Sequence, residues 1–227
     1  MKLSYPWLHD VARERFESDA AFEAFLPQAL PPARLERKPD DRYLSAMTQR
    51  VFQAGVQHAM VDAKWPAFEE AFGGFVPEEM ARLGPRQVDA LMKDKRIIRD
   101  RRKIESVAKN AGFILAVREE RGTGFGSFIA GWPVSDIIGL WQVLGKRGAR
   151  LGGRSAPGFL RLAGKDTFFT TSDVVARLKL AGVIDREPGS QRALQAVQAA
   201  FNELHQASGR PLCQISAMLA LSINPMF

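Results

Sequence analysis

Cysteine is nearly absent from this chain. Its 227 residues include one, Cys213, which excludes an internal disulfide framework and a cysteine-rich zinc site and fits a reducing compartment. Long apolar runs are missing as well. The longest, such as the run from Ile215 to Ile223, is far shorter than the roughly 20 apolar residues that span a bilayer. The segment from Met1 to Pro6 lacks the apolar core of a secretory signal, so a cytoplasmic protein with no membrane partner is expected. There is no Walker loop, dinucleotide fingerprint or His-Glu-x-x-His pattern, which leaves nucleotide hydrolysis and zinc proteolysis without support. Alternating strand patterns are scarce, and neither internal repeats nor low-complexity tracts occur.

What remains is a globular composition, 46% hydrophobic and 25% charged, with a net charge of +7 that favours a polyanionic partner. Helical periodicity dominates. Asp40 and Asp41 are placed to cap a long helix reaching about Lys64, with Met47, Val51, Ala54, His58 and Val61 on one stripe. Pro77 opens a short helix through Leu83, and residues 87–92 begin another. A further helix from Arg101 to about Val117 carries Ile104, Val107, Ala108 and Ala111 on one face. Residues 122–126 read as a glycine loop, Trp132 and Pro133 precede a helix around 137–144, and 145–154 form a glycine- and arginine-rich loop. Thr170, Thr171, Ser172 and Asp173 offer N-caps for a helix ending near Gly182. The last pair is one helix with Leu194, Val197, Phe201 and Leu204, stopped by Gly209, and another after Pro211 with Leu212, Ile215 and Leu219.

The basic charge is densest between Lys93 and Lys103, which includes Lys95, Arg96, Arg99, Arg101 and Arg102. It lies between two helical patterns. A tight turn entering a helix presents unpaired backbone N–H groups, and these together with the helix dipole favour a phosphate; a solvated charged turn is the plain alternative. The glycine-rich stretch with Arg147, Arg150 and Arg154 has the same pair of readings, phosphate approach or surface loop. Lys165, Thr170 and Thr171 are further phosphate contacts, with capping as the competing role of the threonines.

From Gln53, Ala54 and Gly55 to Asn110 and Ala111 the chain resembles the bacterial 3-methyladenine DNA glycosylases I. The triplet itself, Phe72, Phe75, Pro77, Leu91, Ile97, Ile98, Arg99, Arg101, Lys103 and Ile104 carry the likeness without gaps. A weaker likeness continues through Lys146, Arg147 and Gly148, Phe168 to Thr171, and Ala181 to Val183. That family lies in the helix-hairpin-helix glycosylase superfamily. The resemblance therefore implies an all-α helical array of two lobes with a cleft, here a single domain over 1–227, with the hairpin at about 87–111 and extra terminal helices over 1–38 and 189–223. It also implies a hairpin that grips the backbone of double-stranded DNA beside a flipped, damaged base. A monomer acting in base excision repair in the bacterial cytoplasm, at the nucleoid when bound to DNA, is expected.

Two departures bear on chemistry. The family's zinc ligands are cysteine and histidine, but no cysteine precedes Cys213 and Glu187 stands about where a ligand histidine belongs; no metal and no cofactor are expected. The family's base-binding glutamate is replaced by Arg50, and a base-stacking aromatic by His58. A cation there disfavours a cationic alkylated purine. Gln53 and Gln57, one turn apart, can read a base edge, and Trp65 can stack on one, with helix-surface polarity and core packing as the competing roles. His58 lies on the apolar stripe, where a packed histidine is the common case. Asp173, at a helix start, resembles the superfamily's catalytic aspartate, whose charge would stabilise an oxocarbenium-like transition state; an N-cap is its alternative. Lys93, Lys95 and Lys103 do not match a lyase nucleophile. The expected activity is hydrolytic excision of a damaged base, an alkylated purine first, and the alternative is a lesion- or structure-binding protein of the same fold without excision.

Overall fold

The computed structural model describes residues 3–223, which form helices and no strand. In chain order the α-helices are α1 (Tyr5–Arg13), α2 (Asp19–Phe25), α3 (Pro32–Glu36), α4 (Asp40–Gln53), α5 (His58–Ala63), α6 (Trp65–Ala71), α7 (Pro77–Met80) and α8 (Pro85–Leu91). They continue as α9 (Arg101–Arg121), α10 (Phe125–Gly131), α11 (Ile137–Arg147), α12 (Ser155–Ala163), α13 (Ser172–Leu180), α14 (Gln191–Ser208) and α15 (Leu212–Leu221). Short 3-10 turns occupy Gly73–Phe75 and Val134–Asp136. No single helix is long and apolar enough to cross a membrane.

Two compact units divide the chain, with one of the boundaries between them falling inside α11. The larger comprises Leu30–Trp132 and Gly139–Lys165. Its axis is α9, whose 21 residues are bounded by the Asp100 carboxylate accepting from the Lys103 amide at 3.1 Å and by Gly122 in the left-handed region. Ile104, Val107, Ala111, Ile114 and Val117 bury one face of α9, against which α4 and α7 pack. Four near-parallel rings, Trp65, Phe68, Phe72 and Phe75, fill the corner between α6 and the following 3-10 turn. Fully burying each phenylalanine contributes about 1.5–3 kcal/mol.

The smaller unit comprises residues 3–29, Pro133–Ile138 and 166–223 of the described chain. Here α15 packs on α1, α13 and α14. Phe168 and Phe201 stack with centroids 4.0 Å apart, and the Asp166 carboxylate accepts from the Leu212 and Cys213 amides at 2.8 and 2.9 Å. That acidic cap satisfies the first turn of α15, since Pro211 has no side chain to do so.

Local structure differs from the sequence expectation at several places, among them α7, which ends at Met80 rather than Leu83, and α9, which runs to Arg121 rather than about Val117. The helix from Asp40 stops at Gln53, because the chain turns through Gly55 at φ +77° before α5. Ala54 and His58 are consequently exposed rather than part of the buried stripe. Asp40 does not cap its own helix; its carboxylate accepts from the Phe125 amide at 2.9 Å and starts α10, so residues 125 and 126 are helical rather than loop. Third, α11 runs to Arg147, into the expected loop. Finally, α12 was not anticipated: Pro157 sits in its first turn, where its missing N–H costs nothing, and Gly158 leaves space that the Arg50 side chain fills.

Candidate functional site

The basic hairpin is built from α8, the turn 92–100 and the start of α9. Ile97 anchors the turn by burial, and the Asp94 carboxylate accepts from the Arg96 amide at 2.9 Å. The amides of Ile97, Ile98 and Arg99 have no protein acceptor among the described residues. The first amides of α9 follow directly, so a row of donors opens at a positive helix end.

The cations of the hairpin separate into three groups. Lys93, Lys95, Arg99 and Arg102 are exposed and make no side-chain ion pair among the described residues. Arg96 is held by Asp94 and Glu70, and Arg101 by Asp89 and Glu105. Lys103 is turned inward: it is 8% exposed, and its Nζ donates to the Phe52 and Ala54 carbonyls at 3.2 and 2.8 Å. It thus satisfies the end of α4, over the face of Phe52. Burial lowers its pKa from the ordinary lysine value, with Asp100 opposing and Arg150 adding to the shift. This corrects the expectation that Lys103 reaches DNA, because its donors are already committed inside the protein. Lys165 is corrected in the same way. It is 5% exposed and donates to the Ala130 and Trp132 carbonyls at the end of α10.

The glycine- and arginine-rich turn lies beside the hairpin. Arg147 is engaged by both oxygens of Glu120 at 2.8 and 2.6 Å and covers the Phe113 ring. Arg150 and Arg154 are exposed. A cavity of about 360 Å³ is lined by Arg102, Glu105, Ser106, Lys109, Ala149 and Arg150, so the two basic segments meet at one place.

Arg50, Gln53 and His58 gather at the corner between α4 and α5. The Arg50 side chain lies across α12 at Gly158, where a Cβ would come within 2.2 Å of its Nε. One Arg50 nitrogen is 3.3 Å from His58 Nε2 and another donates to the Arg154 carbonyl at 3.3 Å, while Nε is buried without a partner. Burial first and the Arg154 charge second lower the Arg50 pKa; no carboxylate faces it among the described residues. The corner and the hairpin are bonded to each other, through Lys103 and through Lys64, whose Nζ donates to the Arg96 carbonyl at 3.1 Å.

Other expected pocket residues are occupied elsewhere. Gln53 is 5% exposed, and its amide donates to Asp62 at 2.9 Å, as does that of Gln49. Gln57 is exposed, at the start of α5. Trp65 stacks on Phe68 and Phe75, and its Nε1 donates to Ser45 and Glu69 at 3.2 and 3.1 Å. Half-buried, it is engaged with its own protein rather than held open as a base platform. In the smaller unit, the N-cap of α13 is Thr171, whose hydroxyl accepts from the Val174 amide at 3.3 Å. Thr170 is half-buried before it, and Asp173 is half-buried in the first turn. Asp173 is therefore not the capping residue.

Sequence reasoning passed over Asp62, Lys64, Lys109 and Asn110. Helical spacing could have found two of these, since Asp62 is four residues after His58 and Lys109 seven after Arg102. The residues present do not suit the family's zinc. Among the described residues no three His, Cys, Asp or Glu side chains are grouped so as to hold a metal ion, and exposed Glu187 pairs with Lys179 at 3.0 Å.

Residues 35–138 match the model of the methyladenine glycosylase family. The weaker likeness expected at 146–148, 168–171 and 181–183 lies outside that match. DNA-3-methyladenine glycosylase of Haemophilus influenzae is 38% identical over 77 residues, 34% of this chain and 41% of that protein, so the alignment spans about two fifths of the relative's length. Among solved structures, 3-methyladenine DNA glycosylase I from Staphylococcus aureus superposes with a TM-score of 0.52 over 69% of this chain and 91% of its own, at 21% identity. A variant of the same enzyme gives a TM-score of 0.52 at 20% identity, with the same coverage. These likenesses show the all-helical fold.

Proposed function

We propose that this chain, whose residues 35–138 match the methyladenine glycosylase family, is a monofunctional DNA glycosylase that hydrolyses the N-glycosidic bond of a damaged base in duplex DNA. One observation carries the reading. A hairpin with open amides and unpaired cations is hydrogen-bonded, through Lys103 and Lys64, to the α4–α5 corner that bears Arg50 and His58. In such an arrangement the hairpin amides, Lys95 and Arg99 hold the backbone while the base is extruded. His58 and Arg50, 3.3 Å apart, meet the base. Asp173, in the smaller unit, is the carboxylate that the sequence resemblance assigns to the developing positive charge at the sugar. The charge of Arg50 repels a cationic base, so among alkylated and deaminated purines the neutral ones, which present acceptor edges, suit the corner better than 3-methyladenine.

The test is base release from duplexes carrying 3-methyladenine, 7-methylguanine, hypoxanthine or uracil, by the wild-type chain and by Asp173→Asn. Release of one base, reduced at least about tenfold in the folded variant, equivalent to roughly 1.4 kcal/mol in the barrier, is the expected result. Full activity in Asp173→Asn removes that residue from the mechanism. A second reading is favoured by Arg50 itself, since a half-buried cation stands where the resemblance puts the pocket carboxylate: the chain binds lesions or distorted duplexes without cutting. Tight, salt-sensitive binding with no release from any of the four substrates would establish it.

A further inference from the structure

The cavity between α9 and the turn after α11 has no part in base recognition as described, and its construction is specific. On the helix side Arg102, Glu105, Ser106 and Lys109 share one face, at the three-, four- and seven-residue spacings of an α-helix. On the other side stand Ala149 and Arg150. Arg102, Lys109 and Arg150 are exposed and without an ion pair among the described residues. Glu105, the one carboxylate of the lining, lies 3.8 Å from Arg101. The cavity therefore concentrates positive charge in about 360 Å³.

The turn is held in place rather than loose. Fully buried Asn110 grips it at two points: its Oδ1 accepts from the Ala149 amide at 2.7 Å, and its Nδ2 donates to the Ala149 carbonyl at 3.2 Å. Gly148 lets the turn close onto α11, since a Cβ there would come within 2.7 Å of the Leu144 carbonyl oxygen. Arg150 follows at φ +61°, in the left-handed region that disfavours a residue with a side chain. Glycine is the natural residue for that backbone, and three glycines lie close by in the sequence. An arginine in a disfavoured backbone conformation, next to a residue held by a buried asparagine and sharing one cavity with two unpaired cations, is the pattern of a preorganised anion site.

We infer that Arg102, Lys109 and Arg150 form a second phosphate seat, distinct from the open amides of the hairpin turn, and that it takes a backbone phosphate of duplex DNA. The inference rests on the DNA-binding half of the reading above and not on excision. The seat would make the hairpin grip bidentate along the strand, which fixes register as well as affinity.

The experiment is duplex binding measured across a salt series for the wild type and for Arg102→Gln, Lys109→Gln and Arg150→Gly, with Arg192→Gln on α14 as a control for loss of charge. Each cavity variant should weaken binding and flatten the slope of log affinity against log salt by about one unit, the signature of one lost phosphate contact. The control should not change it. Arg150→Gly is expected to melt no lower than wild type, because glycine relieves the strained backbone; a purely structural Arg150 would instead leave binding intact. In parallel, the amide signals of Ala149 and Arg150 are followed by NMR as inorganic phosphate is added. Shifts with phosphate but unchanged duplex binding in all three variants would mean a free-anion site and overturn the proposal. Unchanged binding in the cavity variants alongside a loss in Arg99→Gln would overturn it while leaving the hairpin reading standing. Absence of base release with these slopes still altered would refute the glycosylase reading alone.

Discussion

The larger unit holds two populations of positive charge that look alike in sequence and behave oppositely in the fold. Lys103 and Lys165 are buried, and each donates to the last carbonyls of a helix, α4 and α10 respectively. Lys93, Lys95, Arg99, Arg102, Lys109 and Arg150 are exposed and lack ion pairs among the described residues. The inner cations complete helix ends that have no glycine cap, and the outer ones remain available to an external anion. A flexible four-carbon stem with a compact ammonium suits the first task, because it reaches several carbonyls at once. Unpaired exposed charge adds little to stability, so a cluster of it that is not neutralised by nearby carboxylates points to a partner.

The largest expected effect comes from the inner set. Lys103→Met keeps the bulk of the stem but strands the Phe52 and Ala54 carbonyls. It should cost about 1–3 kcal/mol in chemical denaturation, the penalty for buried unpaired polar groups, while the salt slope of duplex binding in the folded protein stays unchanged. A flattened slope would put Lys103 among the DNA contacts and erase the distinction.

Next is the polar knot of Glu69, which accepts from Arg42 at 3.0 and 2.9 Å, from Ser45 at 2.6 Å and from Trp65 at 3.1 Å. Burial raises its pKa, but the hydrogen bonds from Arg42 and Ser45 and the Arg42 charge outweigh this, and the net shift is downward from 4.5. A depressed carboxylate contributes stability that is present above its unfolded pKa and is lost as the pH falls through the folded one. Glu69→Gln should therefore cost about 1–2 kcal/mol at pH 7, with the gap to wild type closing below pH 4.5. A gap that persists unchanged in acid would show the charge to be immaterial.

Arg50 stands between the two sets, being half-buried yet without a carboxylate. Arg50→Glu should shift excision or binding towards cationic 3-methyladenine over hypoxanthine by about tenfold, roughly 1.4 kcal/mol, read as the ratio of rates or affinities on the two duplexes. No change in that ratio would remove Arg50 from the base site. Smallest in stability is the outer set. Arg99→Gln should alter the unfolding free energy by less than about 0.5 kcal/mol yet reduce the salt slope by about one unit. A stability loss as large as that of Lys103→Met would mean the outer charges are structural after all.

Much of the helical frame was legible before the fold was known. The start of α9 at Arg101, the stripe of α14 and its stop at Gly209 are local signals, and each came out where spacing placed it, although α9 runs on to Arg121, past the expected end near Val117. Three kinds of feature were not legible. The break at Gly55 and the helix α12 depend on which backbone is permitted by distant partners, as when Gly158 accepts the Arg50 side chain. Asp40 looks like a cap for its own helix but serves α10, 85 residues away. Trp65, Lys103 and Lys165 carry chemistry suited to a nucleic-acid site and are engaged inside the protein.

Composition and periodicity by themselves determined that the chain is a helical protein with a basic turn between two helices, and the run of matched residues determined which turn it is. These properties are additive or local, so a linear reading recovers them. Only the tertiary structure decided which of the basic residues face outward, because a lysine's role depends on whether an unpaired helix carbonyl lies within reach of its Nζ. It likewise decided that Arg102, Lys109 and Arg150 line one cavity. Residues 102 and 150 are remote in sequence, and what brings them together is the buried grip of Asn110 on Ala149.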